Sequence, residues 1–175
     1  MQHDLNPSHP LYQYVLDKVD AEFKMHVASK GADRVEQYLA SLLVKFVRTE
    51  DLYAINDDSG NPTQSVIEML GQADVRLTAD SFEREREVHK HIGDFILFWT
   101  GVAPKSVGAW RALNGLDVKC DYLRQGQESY YLVSTFDHSP YDSDAPLFRQ
   151  MSELYESLAF VVGQVSRKTG LYPQA

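Results

Sequence analysis

Apolar side chains recur every three or four positions along most of this 175-residue chain. That spacing constrains the fold more than any other feature. At 3.6 residues per turn it gathers the apolar groups into one stripe per helix, and each stripe has to be hidden against another. Leu11, Val15, Val19 and Phe23 follow it, joined by Tyr14 and Val27. They predict a helix over 10–29, with Pro10 in its first turn and a stop near Gly31. Val35, Leu39, Leu42, Leu43, Phe46 and Val47 predict a second, capped by Asp33 and ending near Arg48. Val66, Ile67, Leu70, Ala73 and Leu77 predict a third, starting near Pro62 or Thr63. Asp80-Ser81-Phe82-Glu83 has the form of a capping box with Asp in the leading place, and it opens a helix over 81–100. A short helix over 104–112 would stop at Asn114-Gly115. Two stripes run together through 116–136: Leu116, Cys120, Leu123 and Tyr130 on one side, Val118, Tyr122, Gly126, Ser129 and Val133 on the other. A helix with two such stripes is touched on two sides and belongs in the centre. Leu147, Met151, Leu154, Leu158, Val161, Val162 and Val165 predict one last helix ending near Gly170.

Strands are not expected. Tyr130 to Thr135 has a strand-like composition, but the helical stripes pass through it and no segment alternates at period two for a full strand. The chain therefore reads as all-α, a bundle of six to eight helices forming one domain over 1–175. Flexible ends are expected near 1–8 and 170–175, with loops near 50–62 and 137–144. The Asn56 to Pro62 stretch, dense in Asn, Asp, Ser and Gly, is the clearest turn signal. With 43% hydrophobic and 11% aromatic residues the chain can fill a core, which excludes wholesale disorder.

Charge excludes other classes. The balance of 17 Lys+Arg against 25 Asp+Glu gives −8, which repels nucleic-acid phosphates and anionic membrane surfaces alike. The densest basic stretch, Arg84 to Lys90, is interleaved with Glu85 and Glu87 and presents no net positive face. The most apolar window, Ile92 to Trp110, contains Asp94, Pro104 and Lys105 and breaks at Gly101, so no membrane span is expected. Residues 1–7 carry neither a basic start nor an apolar run, unlike a signal peptide. Cys120 is the single cysteine, so no internal disulfide is available and a reducing compartment, the cytoplasm, is the expectation.

Chemistry is sparse. No Gly-x-Ser-x-Gly elbow and no Gly-Lys-Ser/Thr phosphate loop occurs, and Cys120 sits on an apolar stripe where thiols are inert. His3, His9, His26 and His138 stand isolated. On the 81–100 helix, Glu87, His91 and Asp94 share a face at i, i+4 and i+7, and Glu85 and His89 form a second pair about 160° round. Carboxylate and imidazole on one face can bind a divalent metal, which makes Glu87 and His91 candidate ligands. No cofactor is otherwise implied. Di-iron bundles use Glu-x-x-His and further carboxylates, and zincins use His-Glu-x-x-His; neither pattern occurs here. The same i, i+4 spacing is also ordinary helix-stabilising pairing, about 0.2–0.5 kcal/mol each.

Asp94 stands immediately before the wholly apolar Phe95-Ile96-Leu97-Phe98-Trp99. Burial there demands partners, and Tyr122, Ser129 and Tyr130 on the central helix can supply hydroxyl donors. Gly93 and Gly126 would let the two helices close up. The cluster reads as a polar clamp fixing helix register, or as a ligand or acid/base site in which Asp94, Tyr122, Ser129, Tyr130 and Trp99 bound a pocket. Gly93-Asp94-x-x-Leu97-Phe98-x-x-Gly101 followed by Tyr122-x-x-x-Gly126-x-x-Ser129-Tyr130 resembles a pattern of uncharacterised helical bacterial proteins. The resemblance covers about a quarter of the chain. It implies that the Asp94 and Gly126 helices pair, and it carries no activity, cofactor or partner. The leading functional expectation is a non-enzymatic helical protein acting through self-association or a protein partner. It rests on the missing catalytic motifs and on more apolar helix face than a small monomer hides.

Overall fold

The computed structural model describes residues 6–27, 29, 31–47, 51, 54–56, 59–63, 65–74, 81–105, 107 and 121–172. Seven helices are assigned among them: α1 Pro10–His26, α2 Asp33–Lys45, α3 Val66–Ala73, α4 Phe82–Val102, α5 Tyr122–Val133, α6 Ala145–Glu153 and α7 Tyr155–Thr169. No strand occurs among the described residues; an isolated bridge, Asn56 to Pro62, closes the loop between α2 and α3. The all-α single-domain bundle is the observed architecture. Tyr130 to Val133 are helical, as the stripes require.

The helix starts follow side-chain acceptors, though not always the expected ones. Ser81, rather than Asp80, caps α4, its hydroxyl accepting from the Arg84 N–H at 3.1 Å. Ala32 holds the cap position of α2 and gives no side-chain bond, so Asp33 is the first helical residue instead of its cap. Its carboxylate still favours the positive end of the helix. Asp121 caps α5 and Ser65 caps α3. The stretch predicted as one last helix is two, α6 and α7, parted at Leu154, whose φ of −97° and ψ of 5° leave the helical range. No Gly or Pro marks that break in the sequence. The short helix expected over 104–112 lies mostly outside the described residues, as do Leu77, Asp80, Asn114-Gly115, Leu116, Val118 and Cys120.

Helix α4 is the axis of the bundle. Every residue from His91 to Phe98 is buried, because α3, α5 and α7 surround it. Helices α1 and α2 pack on each other, and α1 also lies on α7. The aromatic supply goes into the core as edge-on and tilted contacts. Phe98 meets Phe46 at 5.2 Å and Tyr172 at 5.0 Å, and Tyr130 meets Phe148 and Tyr155 at 5.4 Å each. Such pairs add about 0.5–1.5 kcal/mol beyond area burial.

Helices α4 and α7 cross almost backbone to backbone. A Cβ on Gly101 would lie 2.5 Å from Val162 Cγ1 and 2.8 Å from the Ala159 carbonyl oxygen. A Cβ on Gly163 would lie 2.8 Å from the Gly101 carbonyl oxygen. Neither neighbour is the loose end of a long side chain, so an added methyl must push the helices apart. Gly101→Ala is expected to destabilise by about 1–3 kcal/mol despite alanine's better helix propensity. A lower urea midpoint with an unchanged slope would register it; an unchanged midpoint would show that the crossing is looser than described.

Candidate functional site

The Asp94 carboxylate is 2% exposed, and three donors converge on it from three helices. Tyr38 on α2 donates to Oδ1 at 2.6 Å and Tyr130 on α5 donates to the same oxygen at 2.7 Å. The Lys90 ammonium, one turn earlier on α4, donates to Oδ2 at 3.1 Å and also lies 5.1 Å above the Tyr38 ring. Burial by itself would raise the carboxyl, but the Lys90 charge and the two phenol hydrogen bonds outweigh it and hold Asp94 below its ordinary value. Burial and the Asp94 charge push the phenols of Tyr38 and Tyr130 up, so both stay protonated as donors. Burial would lower Lys90, yet the Asp94 charge prevails and holds the ammonium above its ordinary value.

The glycines of this region are filled by rings. Tyr130 packs its ring directly on Gly93, and Tyr155 packs on Gly126 while its hydroxyl donates to the Gly93 carbonyl at 2.6 Å. Close approach is thus the role of Gly93 and Gly126, with a tyrosine laid on each. Ser129 turns to a different partner: its hydroxyl lies 3.2 Å from His89 Nδ1 and accepts from Gln125 at 3.4 Å. Trp99 sits in the ring cluster of Phe95 and Phe98.

Tyr122 is separate from this network. It lines an open cleft of about 480 Å³ between the end of α4, the start of α5 and one face of α7. Thr100, Val107, Leu123, Ala159 and Phe160 line the cleft too, and its charges are Asp121, Glu156 and Arg167. Asp94, Ser129, Tyr130 and Trp99 are not among its walls. The pocket expected from five residues is therefore divided: Asp94 and Tyr130 close on each other, and Tyr122, itself buried, lines the separate cleft. Val107 and Asp121 are joined by residues 108–120, which lie outside the described residues.

The two candidate metal ligands differ in surroundings. Glu87 is 67% exposed, with Arg84 at 3.8 Å as its ion-pair partner. His91 is buried, its ring 6.3 Å from that of Phe46 and 6.1 Å from that of Phe95. Among the described residues no three His, Cys, Asp or Glu side chains are grouped to hold a metal ion. No described helix is long and apolar enough to cross a membrane.

Sequence reading anticipated Tyr130 as an Asp94 partner and missed Tyr38 and Lys90. Lys90 had a signal, since Lys90 and Asp94 are an i, i+4 pair. Tyr38 had none, because nothing local says that α2 brings its phenol to α4. The fold and site together define a single-domain helical bundle pinned by a buried carboxylate, with a shallow apolar cleft to one side. Comparison of the chain with protein-family models, curated proteins and solved structures gives no match.

Asp94→Asn would set an amide against the Lys90 ammonium. Removing one charge of a buried pair is expected to cost on the order of 3 kcal/mol. Tyr38→Phe removes a single bond to a charged acceptor and should cost about 1.5–3 kcal/mol. Urea denaturation at neutral pH measures both, and a loss below about 0.5 kcal/mol for Asp94→Asn would deny the clamp.

A second expectation concerns pH. Burial pushes the His89 imidazole down from 6.5 to about 4. Between those values the unfolded chain takes up a proton that the folded chain refuses. The stability tied to this group is therefore whole above pH 6.5 and is lost as pH falls toward 4. The full effect is at most about 3 kcal/mol, nearer ~2 kcal/mol for a ring that water partly reaches. His89→Gln should flatten that part of the stability curve. Parallel curves for the two proteins between neutral pH and pH 4 would contradict the burial argument.

Proposed function

We propose that this chain is a non-catalytic helical module of the cytoplasm that works by docking against another protein surface at the α4–α5–α7 cleft. The single observation that carries the reading is the rim of that cleft. Phe160 is 48% exposed and Leu123 is 36% exposed, and both line the cleft. Exposed large apolar side chains beside a mostly apolar depression form the knob-and-hollow relief of a protein contact. The Asp94 cluster, the sequence's candidate for acid/base chemistry, supports the same reading. Both of its oxygens accept from protein donors, and the Lys90 ammonium and the two phenols are held in their protonated forms. The lone cysteine and the acidic balance support the cytoplasmic setting.

The test is a photoreactive benzophenone amino acid at position 123, irradiated in cells that make the protein. Mass spectrometry would identify what joins to it. Protein adducts that vanish when Phe160→Asp is added are the expected result. Adducts that persist in that variant, or labelling by small molecules alone, would overturn the reading. The second of these would return the cleft to a small-molecule role, which its volume also suits.

A further inference from the structure

We infer that the crevice between α2, α4 and the start of α6 binds a phosphate group, gripped by Arg86 and Arg34, and that Asp144 competes with it for both guanidiniums. The site is independent of the docking cleft. Arg86 stands near the start of α4, and Thr100, in the cleft wall, lies about 21 Å further along the same helix.

A nearly buried guanidinium with unanswered donors carries the inference. The Arg86 side chain is 9% exposed. Its guanidinium lies 4.2 Å over the Tyr141 ring and 5.8 Å from that of Phe148. The rings hold it by attraction to their faces and leave its N–H groups unpaired. Arg86 makes no hydrogen bond among the described residues, and its Nε is sealed from water without an acceptor. A buried donor left so is costly. The acid beside it is Asp144, whose Oδ2 lies 3.6 Å from Nη2, too far for a hydrogen bond.

Asp144 cannot serve both arginines fully. Arg34 on α2 claims its other oxygen, Oδ1, at 3.2 Å and donates to the Ser143 carbonyl at 2.7 Å. The Nε and Nη2 groups of Arg86 point the same way and form a fork for two oxygens. A carboxylate stretched between two arginines has one oxygen for each. A phosphate group has enough to fill the Arg86 fork and still meet Arg34. Two guanidiniums against one carboxylate also leave a local positive charge in a chain whose net charge is −8. Asp144 has another place to turn. It holds the cap position of α6 yet makes no cap bond, and Pro146 has no N–H, so the amide it would answer is that of Leu147. Turning there frees both guanidiniums and sets the carboxylate at the positive end of the helix.

Isothermal titration calorimetry on the full chain tests the site, with inorganic phosphate, phenyl phosphate and acetate at matched ionic strength. Wild-type protein should bind phosphate or its phenyl ester at one per chain and acetate more weakly. The tighter of the two phosphates names the source, and binding of either supports the site. Asp144→Asn removes the internal competitor but keeps a good cap residue, and should tighten phosphate at least about fivefold. Asp142→Asn, at an exposed acid with no ion pair to either arginine, controls for charge alone and should change binding less. Arg86→Lys keeps the charge and loses the fork, and should weaken phosphate at least about tenfold. Arg34→Gln should also weaken it. Arg34 is 54% exposed, so that variant keeps its melting temperature and decides the matter if Arg86→Lys does not fold. A wild-type chain that takes up neither phosphate would overturn the site. So would acetate binding as tightly as phosphate, or Asp144→Asn gaining no more than Asp142→Asn.

Discussion

A carboxylate sealed inside a helical bundle has to be answered by donors, and the packing of this protein follows from how Asp94 is answered. Leaving that charge unpaired would cost several kcal/mol, a large part of what holds a domain of this size together. The donors come from α2, from α5 and from the preceding turn of α4 itself. Each fixes a relation that apolar contact alone leaves loose, because greasy surfaces slide and phenol–carboxylate bonds at 2.6 and 2.7 Å do not. The helices carrying those donors must keep one register relative to α4. A third tyrosine, Tyr155 on α7, adds a fourth helix by bonding the Gly93 carbonyl beside the charge.

The glycines make this arrangement possible. Tyr130 reaches Asp94 only because residue 93 has no side chain, and Tyr155 reaches the Gly93 carbonyl only because residue 126 has none. Further along, Gly101 and Gly163 bring α4 and α7 into backbone contact. The consequence for function is indirect. The cleft lies where the end of α4 and α7 cross this closely, with the start of α5 as its other boundary. The buried clamp and the open cleft are thus two ends of one packing solution: polar and closed at Asp94, apolar and open at Phe160.

This division explains why the candidate site was only half legible beforehand. The burial of Asp94, the Tyr130 partner and the need for glycine at 93 and 126 follow from one helix's apolar gradient set beside another helix's stripe. Tyr38 could not be foreseen, because α2 is remote in sequence and its polar flank looks like any solvated face. Tyr122 shares a stripe with Ser129 and Val133, yet it stands about two helical turns before Tyr130, the residue that bonds Asp94, and lines the cleft instead. Periodicity gives the direction of a side chain around its own axis and says nothing about which neighbour stands at that height.

The sequence by itself determined that the chain is helical, where most helices run, and that the Asp94 carboxylate lies inside. These are local matters, set by side-chain spacing within a few turns and by the cost of burying a charge. The break at Leu154, the choice of Ser81 over Asp80 as cap, the convergence of Tyr38 and Lys90, and the cleft along α7 were decided only by the tertiary structure. Each depends on the height and angle at which separate helices meet. Those are set by the summed packing of every contact in the bundle, and no single segment of the chain contains them.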